Sequence, residues 1–327
     1  MKADRQVSIE VFAPARLHLG FLDLHGGLGR KFGSLGLTLE ELGVELTMEA
    51  SPSPMATGPG AARALDYLAK AAHALALPAA AAIRLLRLMP EHAGFGSGTQ
   101  LGLAIAAGLA RLHGREVDPA QAAMAVERGA RSGIGIGAFA AGGVILDGGR
   151  GAMATPAPVI ARLPFPPAWR VVLILDPRRA GIHGAAETAA FAALPDFSPE
   201  LAGHLCRLVV MRFLPALAEE DFAAASTAIG EIQARLGDHF ATAQNGRFTS
   251  PAVAEALSLA QARGFTGLGQ SSWGPTGFVF AESEKSAASL VAALEEALVR
   301  APELQFRICQ GRNHGAIIKE SPRTKEG

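Results

Sequence analysis

Cysteine is nearly missing from this chain: Cys206 and Cys309 are the only two in 327 residues, far apart and outside any C-x-x-C or Cys/His cluster. That spacing excludes a disulfide framework and a cysteine-rich zinc site, and leaves buried reduced thiols as the expectation. Net charge is missing as well, with 30 basic and 30 acidic side chains. No overall field would gather nucleic acid or an anionic membrane, so neither partner is expected and a charged ligand must be recognised locally. No uninterrupted apolar run approaches the roughly 18 residues of a membrane span, and MKADRQVSIEVFAP lacks the apolar core of a signal peptide. A cytoplasmic location is the expectation. The H-E-x-x-H pair of a zinc protease and the G-x-S-x-G elbow of a serine hydrolase are both missing. Of nine histidines only His18, His92 and His183 fall beside glycine loops, so a metal cage built by the protein alone is not expected.

What is present is glycine, 38 residues of it, together with a 49% hydrophobic content and alanine-rich segments. That combination speaks for tight turns and close helix packing rather than disorder. The length suits two domains, and the proline-rich stretch MATPAPVIARLPFPPAW breaks every regular pattern, so the boundary is placed there, giving domains 1–155 and 156–327. Alternation predicts strands over 7–13 and 44–50 around a glycine-rich loop from Leu19 to Gly36. Helices are predicted over 61–76, 99–112 and 119–131, with IRLLRLMP as a strand and RSGIGIGAFAAGGVILDGG as a turn leading into a buried strand. In the second half, WRVVLILDP and LQFRICQG read as strands, and 184–193, 199–217, 219–236 and 284–300 as helices.

Four glycine-rich segments carry the candidate chemistry. In PEHAGFGSGTQ, Gly94, Gly96, Ser97, Gly98 and Thr99 stand where a strand gives way to a helix. Unpaired backbone N–H groups and the positive end of the helix dipole there make a cradle for phosphate or diphosphate. Ser97 or Thr99 would add a hydroxyl, to the anion or to Mg²⁺. A glycine turn at a helix start accounts for the same string without a ligand. The Walker pattern is excluded because no lysine follows the glycines, and G-x-G-x-x-G fails on spacing. The N-terminal segment PARLHLGFLDLHGGLGRKFGS gathers Arg16, His18, Asp23, His25, Arg30 and Lys31, of which Asp23, Arg30 and His18 are the catalytic candidates and Arg16 a substrate contact. Arg131 in ERGARSGIG, and Ser271 and Ser272 in GLGQSSWGPTGFVF, complete the substrate-binding candidates, with Trp273 read as packing.

The strings PARLHLG, PEHAGFGSGTQ and GLGQSSWGPTGFVF resemble, in order and spacing, the three motifs of the GHMP kinase superfamily. The resemblance implies an α+β fold of two domains, the first like domain 2 of ribosomal protein S5 and the second ferredoxin-like α/β. Two departures matter: Gly98 replaces the second serine of the kinase loop, and SGIGIGAF holds no acid where several kinases carry a catalytic aspartate. RLHLGFLDLHGGLGR, HAGFGSGTQLGLA and ARSGIGIGAFAAGGVILDGG are similar to one branch, the β-ribofuranosylaminobenzene 5′-phosphate synthases. That similarity implies a pentosyltransferase in methanopterin biosynthesis, condensing 4-aminobenzoate with 5-phosphoribosyl 1-diphosphate and releasing CO₂ and diphosphate. It also implies Mg²⁺ as cofactor, functional roles for Asp23 and Arg30, and a homodimer. An ATP-dependent small-molecule kinase and a catalytically silent sugar-phosphate or nucleotide sensor are the alternatives.

Overall fold

The computed structural model describes residues 7–153, 156–181, 184–272, 274–299 and 303–322. His183 and Trp273, considered above, lie outside them. The chain begins with two long antiparallel strands, β1 (Val7–Asp23) and β2 (Phe32–Ala50), followed by β3 (Met55–Thr57), α1 (Ala61–Leu75), β4 (Ala81–Arg87), α2 (Ser97–Leu112), α3 (Pro119–Ala125), α4 (Ile134–Ala140), β5 (Val144–Asp147) and β6 (Val159–Leu163). The second half runs β7 (Arg170–Leu175), α5 (Gly184–Ala192), α6 (Pro199–Leu208), a π-helical turn (Val209–Phe213), α7 (Leu214–Ala218), α8 (Phe222–Gln244), α9 (Pro251–Ala262), β8 (Leu268–Gln270), β9 (Gly277–Ala281), α10 (Glu284–Ala297), β10 (Gln305–Cys309) and β11 (Ile317–Pro322).

Two sheets result. The first has the path β11-β1-β2-β4-β3, with β5 on β2 and β6 on β5; the second has the order β10-β7-β9-β8. Taken in chain order, the second sheet reads 4-1-3-2 with every pair antiparallel, the ferredoxin-like arrangement expected. The sheets redraw the expected boundary: the proline-rich stretch contributes β6, and the C-terminal β11 returns to pair with β1. One apolar core runs through both halves, from Leu17, Leu19 and Leu37 to Phe213, Ile229, Leu236 and Phe278.

The segment from Leu19 to Gly36 is strand, not loop, apart from its tip. Antiparallel register continues from Arg16↔Thr38 to Asp23↔Phe32, with irregularities at Pro14/Arg16 and His18/Gly20. The glycines serve packing and bulge geometry there: a Cβ on Gly20, at φ 132°, would lie 2.3 Å from Leu236 Cδ1 of α8. Helix α3 stops at Ala125 rather than 131, and the turn after it leads through α4, which was not expected, into the expected buried strand, β5. Glu127 and Gly129 take φ of 56° and 84°, a backbone path no helix follows. The second half also holds α9, which the periodicity did not resolve, opened by the Ser250 side chain accepting from Val253 N.

Helix α2 is buried almost all round between Gln100 and Ala110. Gly102 lets it close on Val126, and Gly108 on Met48. Each glycine costs the helix about 1 kcal/mol against alanine, but burial of Leu101, Leu103, Ile105 and Leu109 contributes about 2 kcal/mol apiece, so packing wins. Among the described residues Pro199–Ala218 is long and apolar enough by composition to cross a membrane, which the uninterrupted-run criterion did not pick out. Here Leu205, Val209 and Phe213 of that helix lie in the core.

Replacing Gly20 by alanine is expected to cost about 2 kcal/mol or more, because a residue with a Cβ is strained at this φ and meets Leu236. Urea unfolding measures it, and an unchanged midpoint would contradict this packing.

Candidate active site

The chain preceding α2 is drawn together from three distant parts of the sequence. Gly94 O accepts from Arg16 Nη1 at 2.6 Å and from Ser271 Oγ at 2.9 Å, and Ser271 Oγ in turn accepts from His18 N at 3.0 Å. Arg16 N donates to Phe95 O at 3.2 Å. Gly94 and Gly96 adopt φ of 90° and 75°, and a Cβ at Gly94 would fall 2.5 Å from Ser271 O, so only glycine fits. From the second half, Gly181 N reaches His92 O at 2.8 Å.

Helix α2 starts with no side chain capping it. The N–H groups of Ser97, Gly98 and Thr99 are therefore the ones that the helix leaves without an intrahelical acceptor. Two guanidinium groups flank them. Arg16 lies 3.0 Å from the position of a Gly96 Cβ, and Arg128 lies 3.2 Å from that of a Gly98 Cβ, with Tyr67 Oη at 3.3 Å. That crowding explains why glycine stands at 98: any side chain would push into the pair in which Arg128 Nε donates to Tyr67 Oη at 2.9 Å. Arg128 thus supplies charge that the missing lysine does not. Burial pushes the Arg16 guanidinium down to about 10, against the pull of Glu187, which leaves it charged at neutral pH.

Arg131 does not face the loop alone. It pairs with Glu187 Oε2 at 2.7 Å, donates to Thr188 Oγ1 at 3.0 Å and lies over the Phe191 ring at 5.2 Å. Helix α5 is thereby strapped across ARSG, and Glu187, placed between arginines, is a residue the sequence reading missed. Asp147 was missed as well. It is buried, its Oδ1 accepting from Ser34 N and Gly149 N and its Oδ2 from Ser132 Oγ and Gly133 N. Burial pushes its carboxyl up, in spite of those four donors. Its only sequence signal is an acid closing the apolar run GGVILD.

Asp23 and Arg30 come together, but at the hairpin tip. Arg30 Nε and Nη2 donate to Gly148 O and Gly149 O, both at 2.6 Å, and Asp23 Oδ1 accepts from Gly26 N at 2.8 Å. The two line a separate pocket with Phe32, Ile160, Cys206 and Val210. Asp23 lies seven strand positions beyond Arg16, roughly 20 Å of extended chain. The expectation that one loop offers acid, base and anion-binding groups together is corrected accordingly: the β-register carries Asp23 away from Arg16. The Ser271 hydroxyl is engaged in pinning Gly94. Cys206, half-buried and held up by burial and Asp23, and Cys309, buried and held further up by burial, are both free thiols.

His18 and Ser272 face a different space. They line a pocket with Gly20, Phe21, Leu236 and Phe240. His18 is buried; its Nδ1 accepts from Gly20 N at 3.2 Å and its Nε2 has no partner. Burial, with Arg16 nearby, holds this imidazole well below its ordinary value of 6.5. The ring is therefore neutral, with its hydrogen on Nε2. No group of three or more His, Cys, Asp or Glu side chains able to hold a metal occurs among the described residues.

Fold and site together define a protein of the GHMP kinase type. The chain matches the family of GHMP kinase N-terminal domains over residues 61–143 and that of GHMP kinase C-terminal domains over residues 213–300. A homoserine kinase from Cytophaga hutchinsonii superposes with a TM-score of 0.68 at 18% identity, covering 98% of this chain and 99% of that one. Within that type, the β-ribofuranosylphenol 5′-phosphate synthase of Archaeoglobus fulgidus is 31% identical over 319 residues, 94% of this chain and 98% of the relative. That of Methanothermobacter thermautotrophicus is 28% identical over 342 residues, 95% and 99% of the two chains. The chain belongs to the β-ribofuranosylphenol 5′-phosphate synthase family.

A neutral buried histidine gives a stability signature. The unfolded chain takes up a proton at His18 near 6.5 and the native ring does not. Its contribution is complete above that value and is lost as pH falls below it, by up to about 1.4 kcal/mol per pH unit. Unfolding free energy should fall more steeply from about pH 7 to pH 5 in the native chain than in His18→Gln; equal slopes would contradict a neutral His18.

Proposed function

We propose that this chain joins the carboxyl-bearing ring carbon of a para-substituted benzoate to C1 of 5-phosphoribosyl 1-diphosphate, releasing CO₂ and diphosphate. The observation that carries it is the near full-length similarity to synthases named for a ribofuranosylphenol phosphate. A phenol product corresponds to 4-hydroxybenzoate as acceptor, and the arylamine implied by the sequence motifs corresponds to 4-aminobenzoate. The chemistry is common to both, because a para hydroxyl or amino group pushes electrons onto the carbon that attacks.

The diphosphate is assigned to the start of α2. The bond from ribose C1 to oxygen breaks with its electron pair going to the diphosphate, where the N–H groups of Ser97, Gly98 and Thr99, with Arg16 and Arg128, meet the growing charge. The ring carbon gives a π pair to C1. The pair of the ring–carboxylate bond then returns to the ring, aromaticity is restored and CO₂ departs. No net proton moves. This accounts for a site without a free base: both oxygens of Asp147 already accept two hydrogen bonds each, so that acid holds the Ser132–Gly133 turn instead of activating a hydroxyl. The protein's main contribution is placement of two reactants in contact.

Mg²⁺ brought with the diphosphate would supply further charge stabilisation of the leaving group. The residues fit a hard cation held chiefly by substrate oxygens, with Ser97 and Thr99 as the hydroxyls at the helix start and no carboxylate cage competing for it. Arg30 is assigned to fixing the hairpin tip on the β5–β6 turn, and Asp23 to bracing that tip through Gly26 N.

Purified protein given carboxyl-labelled 4-hydroxybenzoate or 4-aminobenzoate with 5-phosphoribosyl 1-diphosphate and Mg²⁺, and no ATP, should release labelled CO₂ only when both substrates are present. Absence of release with both acids, together with ATP consumption on a small alcohol, would establish a kinase and overturn the proposal.

A further inference from the structure

The pocket that His18 enters has no part in holding the diphosphate. The space within it open to the centre of a water-sized sphere is about 40 Å³, room for a few water-sized groups. Its walls come from both halves of the chain: Gly20 and Phe21 from β1, Leu236 and Phe240 from α8, and Ser272 from the fourth glycine segment. The surface is mainly apolar and ringed by aromatic carbon. Its glutamines are committed elsewhere. Gln233 Nε2 donates to Leu19 O at 2.7 Å, and Gln270 Nε2 to Gln244 Oε1 at 3.2 Å and Ser272 O at 3.0 Å. One buried polar atom on this wall is left over, His18 Nε2. A buried N–H without an acceptor costs about 1–3 kcal/mol, and a partner arriving with a ligand removes that cost.

The pocket also has a fixed relation to the loop. His18 N and Gly94 O share the Ser271 hydroxyl, and Ser272, next in the chain, lines the pocket. Leu236, Phe240, Phe21 and His18 line one pocket, and the His18 and Phe21 rings lie edge to face at 4.5 Å.

We propose that this pocket holds the aromatic ring of the acceptor acid, with the Nε2–H of His18 donating to the carboxylate on the reacting carbon. The inference rests on the condensation reading. The neutral Nε2–H of His18 orients the carboxylate, the Arg247 guanidinium that also lines the pocket is held by Asp238, and the mainly apolar walls disfavour the anion relative to the neutral CO₂ it becomes.

The test uses the intact protein with 4-hydroxybenzoate and 4-aminobenzoate as probes. Nuclear Overhauser contacts from bound ring protons to the Leu236 methyl groups and the Phe240 ring are expected in the unsubstituted protein. In kinetics, His18→Leu should raise the benzoate KM about tenfold while changing the phosphoribosyl donor's KM by less than about twofold, and His18→Gln, which retains an N–H, should recover most of the loss. CO₂ release without contacts to Leu236 or Phe240, or equal effects of His18→Leu on both KM values, overturns the pocket assignment and leaves the condensation standing. Contacts without CO₂ release support the pocket and overturn the condensation. No binding of either acid overturns both.

Discussion

Everything at the start of α2 depends on one carbonyl. Gly94 O is gripped by Arg16 from β1 and by Ser271 from the β8–β9 connection, so the loop is defined only when both halves of the chain have folded. Charged and neutral hydrogen bonds of this kind contribute about 1–3 kcal/mol each, small beside the burial of α2. Their effect is positional: they keep an uncapped helix end open and flanked by arginine, while the buried body of α2 keeps it from fraying.

From that fixed point the site divides into zones that do different work. The helix start with Arg16 and Arg128 is the place where negative charge is tolerated. The His18 pocket, two hydrogen bonds away through Ser271, is mainly apolar and holds a neutral imidazole. The ARSG turn, tied down by Asp147 and strapped by Glu187, Thr188 and Phe191 of α5, closes the third side. A site with charge at one end and a mainly apolar, aromatic-lined pocket at the other is consistent with the proposed reaction between a diphosphate ester and an aromatic ring.

Much of this was legible in the sequence where local rules govern. Strand, glycine loop and apolar helix announced α2, and the string GSGT marked its start, because helix ends and left-handed glycines are decided within a few residues. Arg16, His18, Ser271 and Ser272 stand out in the sequence as neighbours of the glycine segments, and the structure places Arg16 and Ser271 on Gly94 O and His18 and Ser272 in one pocket. The long β1–β2 hairpin was hidden because glycine reads as loop, and only α8, more than two hundred residues away, makes Gly20 a requirement of packing. Arg128 and Glu187 act through partners distant in sequence, Tyr67 and Arg131, and neither they nor Asp147 carry a periodic signal. Asp23 and Arg30 were grouped with the loop by proximity along the chain, and strand register separated them.

Formation of a carbon–carbon bond is the central claim, and one spectrum decides it. Product made from a benzoate labelled with ¹³C at the carboxyl-bearing ring carbon and a donor labelled with ¹³C at ribose C1 should show direct one-bond coupling between the two labels. A product in which those carbons are not directly coupled, the sugar being joined through oxygen or nitrogen, would contradict the account.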